Sequence, residues 1–503
     1  MILQDYLKEN VNKDPDGLFL ISGEEQYTYR QFSEEVNGYA TGLKELGIEK
    51  GDRVGLMLPN IPEWPIAYCA LLSVEAIVVP LNIMLKENEL RNQINDCKAK
   101  AVIFWYGFSD LLLRAAAGGD CSILIQCRGE KIQGINDFSD LKLKADGSDG
   151  AASASDDDTC SIIYTSGTTG TALGVELTHK NIIKNAESCS KFLPLDRSEV
   201  IMGVIPLFHS FGHTAILNLA VILGATIVLV EKFDPYNISK LIISHSPSLF
   251  FGVPSMYHAI LHDDRVSRST FENVKYCISG AAKLDMNLLE EFENKYNCLI
   301  LEGYGLTEAG PVVAFNRNAS LRRKGSVGLP IDGVEIKLVD NEGERVSQGD
   351  IGELLVRGNS IMKGYWGNQR EYDARLVDGW LCTGDLARMD DEGYYYVVDR
   401  KTDMIIKHGF NVYPREIEDE LQSHPEIIEC SVFGIPNTAV GEKIKACIVS
   451  KKDSTSTEED IRYYCEERMA SYKVPDIVEF VAELPRNASG KVLKKSLRML
   501  HEN

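Results

Sequence analysis

Along the chain, stretches with apolar residues at helical spacing are followed by short, almost wholly apolar runs, and this order repeats. Phe32, Val36, Ala40 and Leu43 fall on one helix face, and Thr28 with Gln31 ahead of them makes a capping box. Gly47 closes that helix, and DRVGLML, residues 52–58, reads as a strand. Residues 61–80 repeat helix then strand, ending in AIVVP; ENELRNQIND predicts the next helix and KAVIF the next strand. The rhythm continues through CSIIY, the helical HKNIIKNAESCSKF, and ATIVLV, PSLFFGVP, VKYCISG and CLILEGYG. Regular alternation of this kind predicts an α/β fold with a mostly parallel sheet.

Beyond residue 325 the texture changes. GVEIKLVDNEG, GELLVRG and GYYYVVDR are short strands punctuated by glycine turns and predict antiparallel pairs. After Lys407 a small α+β pattern follows: EIEDEL and STEEDIRYYCEERM are helical, SVFGI and KIKACIVSK are strands. The expected architecture is a large N-terminal domain over 1–398, made of α/β subdomains plus a β-rich part. A hinge at 399–403 then leads to a small mobile α+β domain over 404–503.

Composition narrows the function classes. At 503 residues, 44% hydrophobic and 25% charged, the chain is globular in type and long enough for several cores. Its net charge of -21 argues against a partner with a phosphate backbone, so no nucleic acid is expected. Twelve cysteines without a C-x-x-C pair suit buried thiols in a reducing compartment. The start shows no cationic flank before an apolar run, so no signal peptide is expected. The most apolar stretch, TAILNLAVILGATIVLV at 214–230, is short for a bilayer span and is interrupted at Asn218, Gly224 and Thr226. It predicts a buried helix and a buried strand joined at Gly224. The expected protein is cytoplasmic, a monomer or homodimer, without a transmembrane segment and with at most transient membrane contact.

Residues 164–180, YTSGTTGTALGVELTHK, carry the first chemistry. Ser, Thr and Gly at 166–170 offer hydroxyls and backbone N–H groups that converge on oxyanions. No lysine follows Gly170, so this is not a P-loop. Read as strand, loop, then helix, the segment places the loop where α/β proteins hold phosphates.

SGAAKL, EGYGLTE, GWLCTGDLA, VVDRKTD, KHGFNVYPREIE and LPRNASGKVLKKSLR follow in this order. With the loop, they resemble the adenylate-forming superfamily of acyl-CoA synthetases, aryl-CoA ligases, luciferases and peptide-synthetase adenylation domains. The resemblance spans nearly the whole chain and is closest to the acyl-CoA synthetase, or fatty-acid–CoA ligase, branch. It implies that Thr165, Ser166, Gly167, Thr168, Thr169 and Gly170 contact the ATP phosphates. It also implies that Tyr304 packs on adenine, Thr307 contacts phosphate and Glu308 holds Mg²⁺. Gly280, Ala281 and Ala282 lie along the adenine and acyl channel, while Asp385 and Arg400 fix the ribose hydroxyls. Lys491 bridges the substrate carboxylate and the α-phosphate. His209, in PLFHSFGHT, gates or contacts the acid, with His213 merely nearby. Gly409 faces the site in a second step, when CoA is the cosubstrate.

The implied reaction activates a hydrophobic carboxylic acid, a medium- or long-chain fatty acid, to acyl-AMP and then transfers the acyl group to CoA. An aryl-acid CoA ligase and a ligase that loads a carrier protein stay open as alternatives. The chain departs from the family at two points. Ala172 and Leu173 stand where a proline and a lysine are usual, so restoring Pro and Lys is expected to raise the adenylation rate. Thr402 stands at the pivot, where Asp or Lys is usual.

Overall fold

The computed structural model describes the chain apart from residues 145–153, 166–171, 438–439, 453, 487–491 and 503, and apart from the side chains of 500–502. It divides into two compact units. The first comprises Met1–Lys324, Gly328–Glu335 and Val356–Leu381; the second comprises Gly325–Val327, Ile336–Leu355 and Cys382–Asn503. The tract 399–403 lies within the second unit.

Two large sheets build the first unit. In one, the order is Leu329–Pro330, Val312–Phe315, Ile300–Gly305, Tyr276–Ser279, Leu249–Gly252, Val200–Gly203, Thr226–Leu229, Leu18–Ser22 and Glu25–Thr28. Its six middle strands are parallel and only the outer pairs are antiparallel. The other runs Gly364–Tyr365, Leu173–Thr178, Thr159–Thr165, Ile77–Pro80, Arg53–Met57, Ala101–Trp105, Ile123–Cys127 and Asn136–Asp137. Strands such as Ile77–Pro80 and Leu249–Gly252 are buried on both faces, as parallel strands covered by helices are. The second unit carries a five-stranded sheet built around Ile427–Asn437 and Gly441–Ser450. Ile417 and Leu421 of the helix Pro414–Gln422 and Ile461 of the helix Glu458–Glu466 pack with Val432 and Ile444 of that sheet. This is the α/β fold with a smaller α+β part that the sequence predicts.

Local signals explain the element ends. Thr28 caps the helix Tyr29–Glu45, and Gln31 returns the bond, so both halves of the box form. The same device, Thr178 with Asn181, starts the helix His179–Phe192. The apolar stretch at 214–230 forms a helix ending at Gly224, whose φ of 78° closes it, followed by the strand Thr226–Leu229. Its first part, His213–Asn218, is a π-helix. Among the described residues no helix is long and apolar enough to cross a membrane.

One local expectation needs correction. The loop after Thr159–Thr165 does not lead straight into a helix: Leu173–Thr178 returns antiparallel to Thr159–Thr165, pairing Leu173 with Thr165, and the helix starts only at His179. Leu173, Val175 and Leu177 alternate along this strand and are buried. That period of two makes LGVELT a strand, and Leu173, 8% exposed, is its first inward residue.

Candidate active site

In the first unit the predicted site segments leave the carboxyl ends of neighbouring parallel strands, the edge where α/β sheets hold ligands. Val200–Gly203 leads to the segment with His209, Tyr276–Ser279 leads to Gly280, Ala281 and Ala282, and Ile300–Gly305 holds Tyr304 and leads to Thr307 and Glu308. The register sets Gly252 beside Ser279 and Ser279 beside Glu302. The Ser210 and Thr307 hydroxyls lie 3.0 Å apart and join the outermost of these segments. Phe211 lies over Gly280, where a Cβ would come within 3.3 Å of the ring. Ala281 is exposed and holds a left-handed φ of 68°, a conformation unusual for alanine.

His209 is half-buried, and its Nδ1 accepts the Phe211 N–H at 3.2 Å. Burial pushes the imidazole down to about 4, so it is neutral near pH 7 and carries its proton on Nε2. That state suits a positioning contact better than a base needing protonation near neutrality. His213 is more than a neighbour: it is fully buried, edge-on to Tyr68 at 4.9 Å and Trp64 at 6.0 Å, with Nε2 3.5 Å from the Ser161 hydroxyl. It thereby joins the helix carrying it to the strand Thr159–Thr165. Spacing alone could not reveal this, because its partners are far away in sequence.

Tyr304 and Glu308 are half-buried. Glu308 sits in the short turn Thr307–Ala309, and its Oε1 accepts the Tyr365 hydroxyl at 3.1 Å. Burial and the nearby carboxylate push the Tyr365 phenol up, so the phenol stays protonated and donates. A carboxylate oriented in this way is a hard oxygen donor whose chemistry fits magnesium. Tyr365 was not foreseen from the sequence; its signal is a buried aromatic inside the glycine-flanked GYWG. Thr165 ends its strand paired to Leu173. Ser166, Gly167, Thr168, Thr169, Gly170 and Lys491 lie outside the described residues.

In the second unit Asp385 and Arg400 are directly paired across antiparallel strands, and Arg400 Nε meets Asp385 Oδ1 at 3.2 Å. The Asp385 side chain is 8% exposed and that of Arg400 45%. Asp399, next to them, is buried and accepts the N–H groups of Arg400 and Arg415 at 2.7 and 2.9 Å. Thr402 is exposed. His408 and Gly409, with φ of 53° and 80°, form the two-residue turn between Ile405–Lys407 and Phe410–Val412. Two positive φ values make this a type I′ turn, so the backbone itself favours glycine there. Lys494 and Arg498 do not simply face solvent: they pair with Glu418 at 2.8 Å and Asp403 at 3.2 Å.

Comparison with known proteins identifies the family. Residues 7–366 match the AMP-binding enzyme family and residues 416–491 the AMP-binding enzyme C-terminal domain. A long-chain-fatty-acid–CoA ligase of Bacillus subtilis is 34% identical over 98% of this chain and 94% of its own. A feruloyl-CoA synthase of Amycolatopsis sp is 33% identical over 94% of this chain and 93% of its own. The crystal structure of ATP-bound MatB from Rhodopseudomonas palustris superposes with a TM-score of 0.93 at 28% identity, covering 100% of this chain and 99% of that one. The chain belongs to the AMP-binding enzyme family, in the acyl-CoA synthetase branch of the adenylate-forming superfamily, and is an AMP-forming acid:CoA ligase that activates a carboxylic acid with ATP.

Proposed function

We propose that the acid is a medium- or long-chain fatty acid and that one chain carries it through acyl-AMP to acyl-CoA. The observation that carries this reading is the apolar surface beside Gly280: Phe211 lies against it and Phe251 packs edge-on to Phe211 at 5.8 Å. The segment 206–212 offers no acidic side chain to a substrate ammonium. Similarity to a long-chain-fatty-acid–CoA ligase supports the same choice. An aryl acid is the second reading, favoured by those rings and by similarity to a feruloyl-CoA synthase.

In the first half-reaction a carboxylate oxygen attacks the α-phosphorus and the bond to pyrophosphate breaks. Two anions must meet, so the protein contributes orientation and cationic stabilisation. Lys491 bridges carboxylate and α-phosphate. Thr165 and residues 166–170 hold the β- and γ-phosphates, with Thr307 alongside, and Tyr304 packs on adenine. Asp385 accepts from the ribose hydroxyls while Arg400 orients its carboxylate, and neutral His209 lines the acid's side. Gly280, Ala281 and Ala282 border the channel. Glu308 would hold magnesium, which when bound would offset phosphate charge. In the second half-reaction the second domain rotates about 399–403, past Thr402, and brings the Gly409 turn to the CoA side. The thiol attacks the acyl carbon, the acyl–phosphate bond breaks and AMP leaves, with the thiol proton passing to solvent.

Specificity constants for straight-chain acids from hexanoate to octadecanoate, and for benzoate and ferulate, test the substrate class through pyrophosphate release. The greatest kcat/KM is expected at one of the straight-chain acids of eight carbons or more. A larger value for either aryl acid overturns the assignment in favour of the second reading.

A further inference from the structure

The segment Met362–Trp366 touches two regions that the proposed reaction uses separately. On one side it is a strand neighbour of Leu173–Thr178, the strand that follows the phosphate loop. Tyr365 pairs with Val175 and Gly364 with Glu176, the Lys363 N–H donates to Glu176 O at 2.9 Å, and the Trp366 N–H donates to Gly174 O at 2.7 Å. On the other side it holds Glu308 twice. The Met362 N–H donates to the Glu308 carbonyl at 2.9 Å, and the Tyr365 hydroxyl donates to its carboxylate at 3.1 Å. Tyr365 is 4% exposed and its backbone is fixed by the sheet, so its ring has little freedom to reorient.

We infer that Tyr365 is a positioning residue: its buried hydroxyl fixes the Glu308 carboxylate in register with the strand Leu173–Thr178, so that the metal-holding carboxylate is presented from a fixed sheet edge. The inference rests on the reading of Glu308 as the magnesium-holding carboxylate. A carboxylate alone in a three-residue turn would rotate about its own torsions. With one oxygen engaged by a phenol anchored to the sheet, the other is presented in a single direction. Groups that orient a metal-holding side chain in this way typically contribute about ten- to a hundredfold to metal affinity.

Tyr365→Phe keeps the ring and removes only the donor. Isothermal titration calorimetry of the full-length protein with ATP, in excess Mg²⁺ and separately in EDTA, reads binding without turnover. The dissociation constant in Mg²⁺ is expected to rise about tenfold. The value in EDTA and the thermal midpoint should stay close to those of the unaltered protein. Glu308→Gln, measured alongside, is expected to lose the Mg²⁺ dependence of binding. If Glu308→Gln weakens binding in Mg²⁺ and Tyr365→Phe does not, the positioning role is wrong while the reading of Glu308 stands. If neither variant changes binding, Glu308 leaves the metal site and the inference falls with it. An equal loss in Mg²⁺ and EDTA would assign Tyr365 to packing alone.

Discussion

Removing the Asp385 carboxylate should separate a modest structural role from a large role in binding. In the fold that carboxylate meets Arg400 at 3.2 Å, but the Arg400 side chain is 45% exposed, so solvent screens that end of the pair. The Asp385 end, 8% exposed, is not screened in this way, so removing it costs more than breaking a surface pair and less than breaking a fully buried one, about 1–3 kcal/mol. The Asp385 N–H donates to the Thr383 hydroxyl at 3.0 Å, a bond that alanine keeps, as it keeps the strand register with Arg400. Asp385→Ala is therefore expected to lower stability by about 1–3 kcal/mol. In the proposed function the same carboxylate accepts from two ribose hydroxyls of ATP. Hydrogen bonds to a charged group contribute about 1.5–3 kcal/mol each. Two such bonds, at about 1.4 kcal/mol per tenfold, amount to a hundred- to ten-thousandfold in the dissociation constant. The assay is calorimetric titration of ATP and of 2′,3′-dideoxy-ATP into both proteins. The unaltered protein should prefer ATP by about that factor, and Asp385→Ala should bind the two nucleotides alike. An alanine variant that still discriminates between them would falsify the ribose assignment. A stability loss above about 3 kcal/mol would instead place the carboxylate among the fold's supports.

Two further perturbations test the packing around the site. Ala172→Pro with Leu173→Lys is expected to raise the adenylation rate at low ATP while lowering unfolding stability by about 2 kcal/mol, the value of burying a leucine. The second effect follows because Leu173 is an inward strand residue, 8% exposed. Equal rates across a wide ATP range would remove the charge argument, and an unchanged urea midpoint would remove the packing one. His213 is held neutral by burial, its value pushed down to about 3 from 6.5, so the unfolded chain takes up a proton there that the native chain refuses. The stabilisation is complete above pH 6.5 and declines as pH falls toward 3, reaching a loss of about 2 kcal/mol by pH 5. His213→Asn should lose correspondingly less between pH 7 and pH 5 in urea unfolding, and an unaltered pH dependence would contradict the burial argument.

The sequence revealed those parts of the site that depend on local chemistry. Periodicity placed the helix His179–Phe192 and the strand Ala101–Trp105, and the Thr28–Gln31 box marked a helix start, because each signal lies within a few residues of what it controls. The strand Leu173–Thr178 is hidden in the sequence because it is only six residues long and runs directly into the helix at His179, though Leu173 begins its inward face. Tyr365 and His213 were illegible for a different reason. Their partners, Glu308 for one and Ser161 with Tyr68 for the other, lie far off in sequence and meet them only through the sheets. Asp385 and Arg400 occupy an intermediate place: motif resemblance suggested the pair, and strand register explains why they meet. At Gly409 the type I′ backbone by itself accounts for the glycine, so the residue type there does not separate the turn from the proposed CoA-side role.

The central claim is that one chain performs two chemical steps with different groups, and Lys491→Ala tests it most directly. Mass spectrometry would follow acyl-AMP formed from dodecanoate and Mg²⁺-ATP, and separately acyl-CoA formed from supplied dodecanoyl-AMP and CoA. Loss of the first activity by about a hundredfold or more, with the second within a few fold of the unaltered protein, is the predicted result. Equal loss of both activities, or retention of both, would contradict the account.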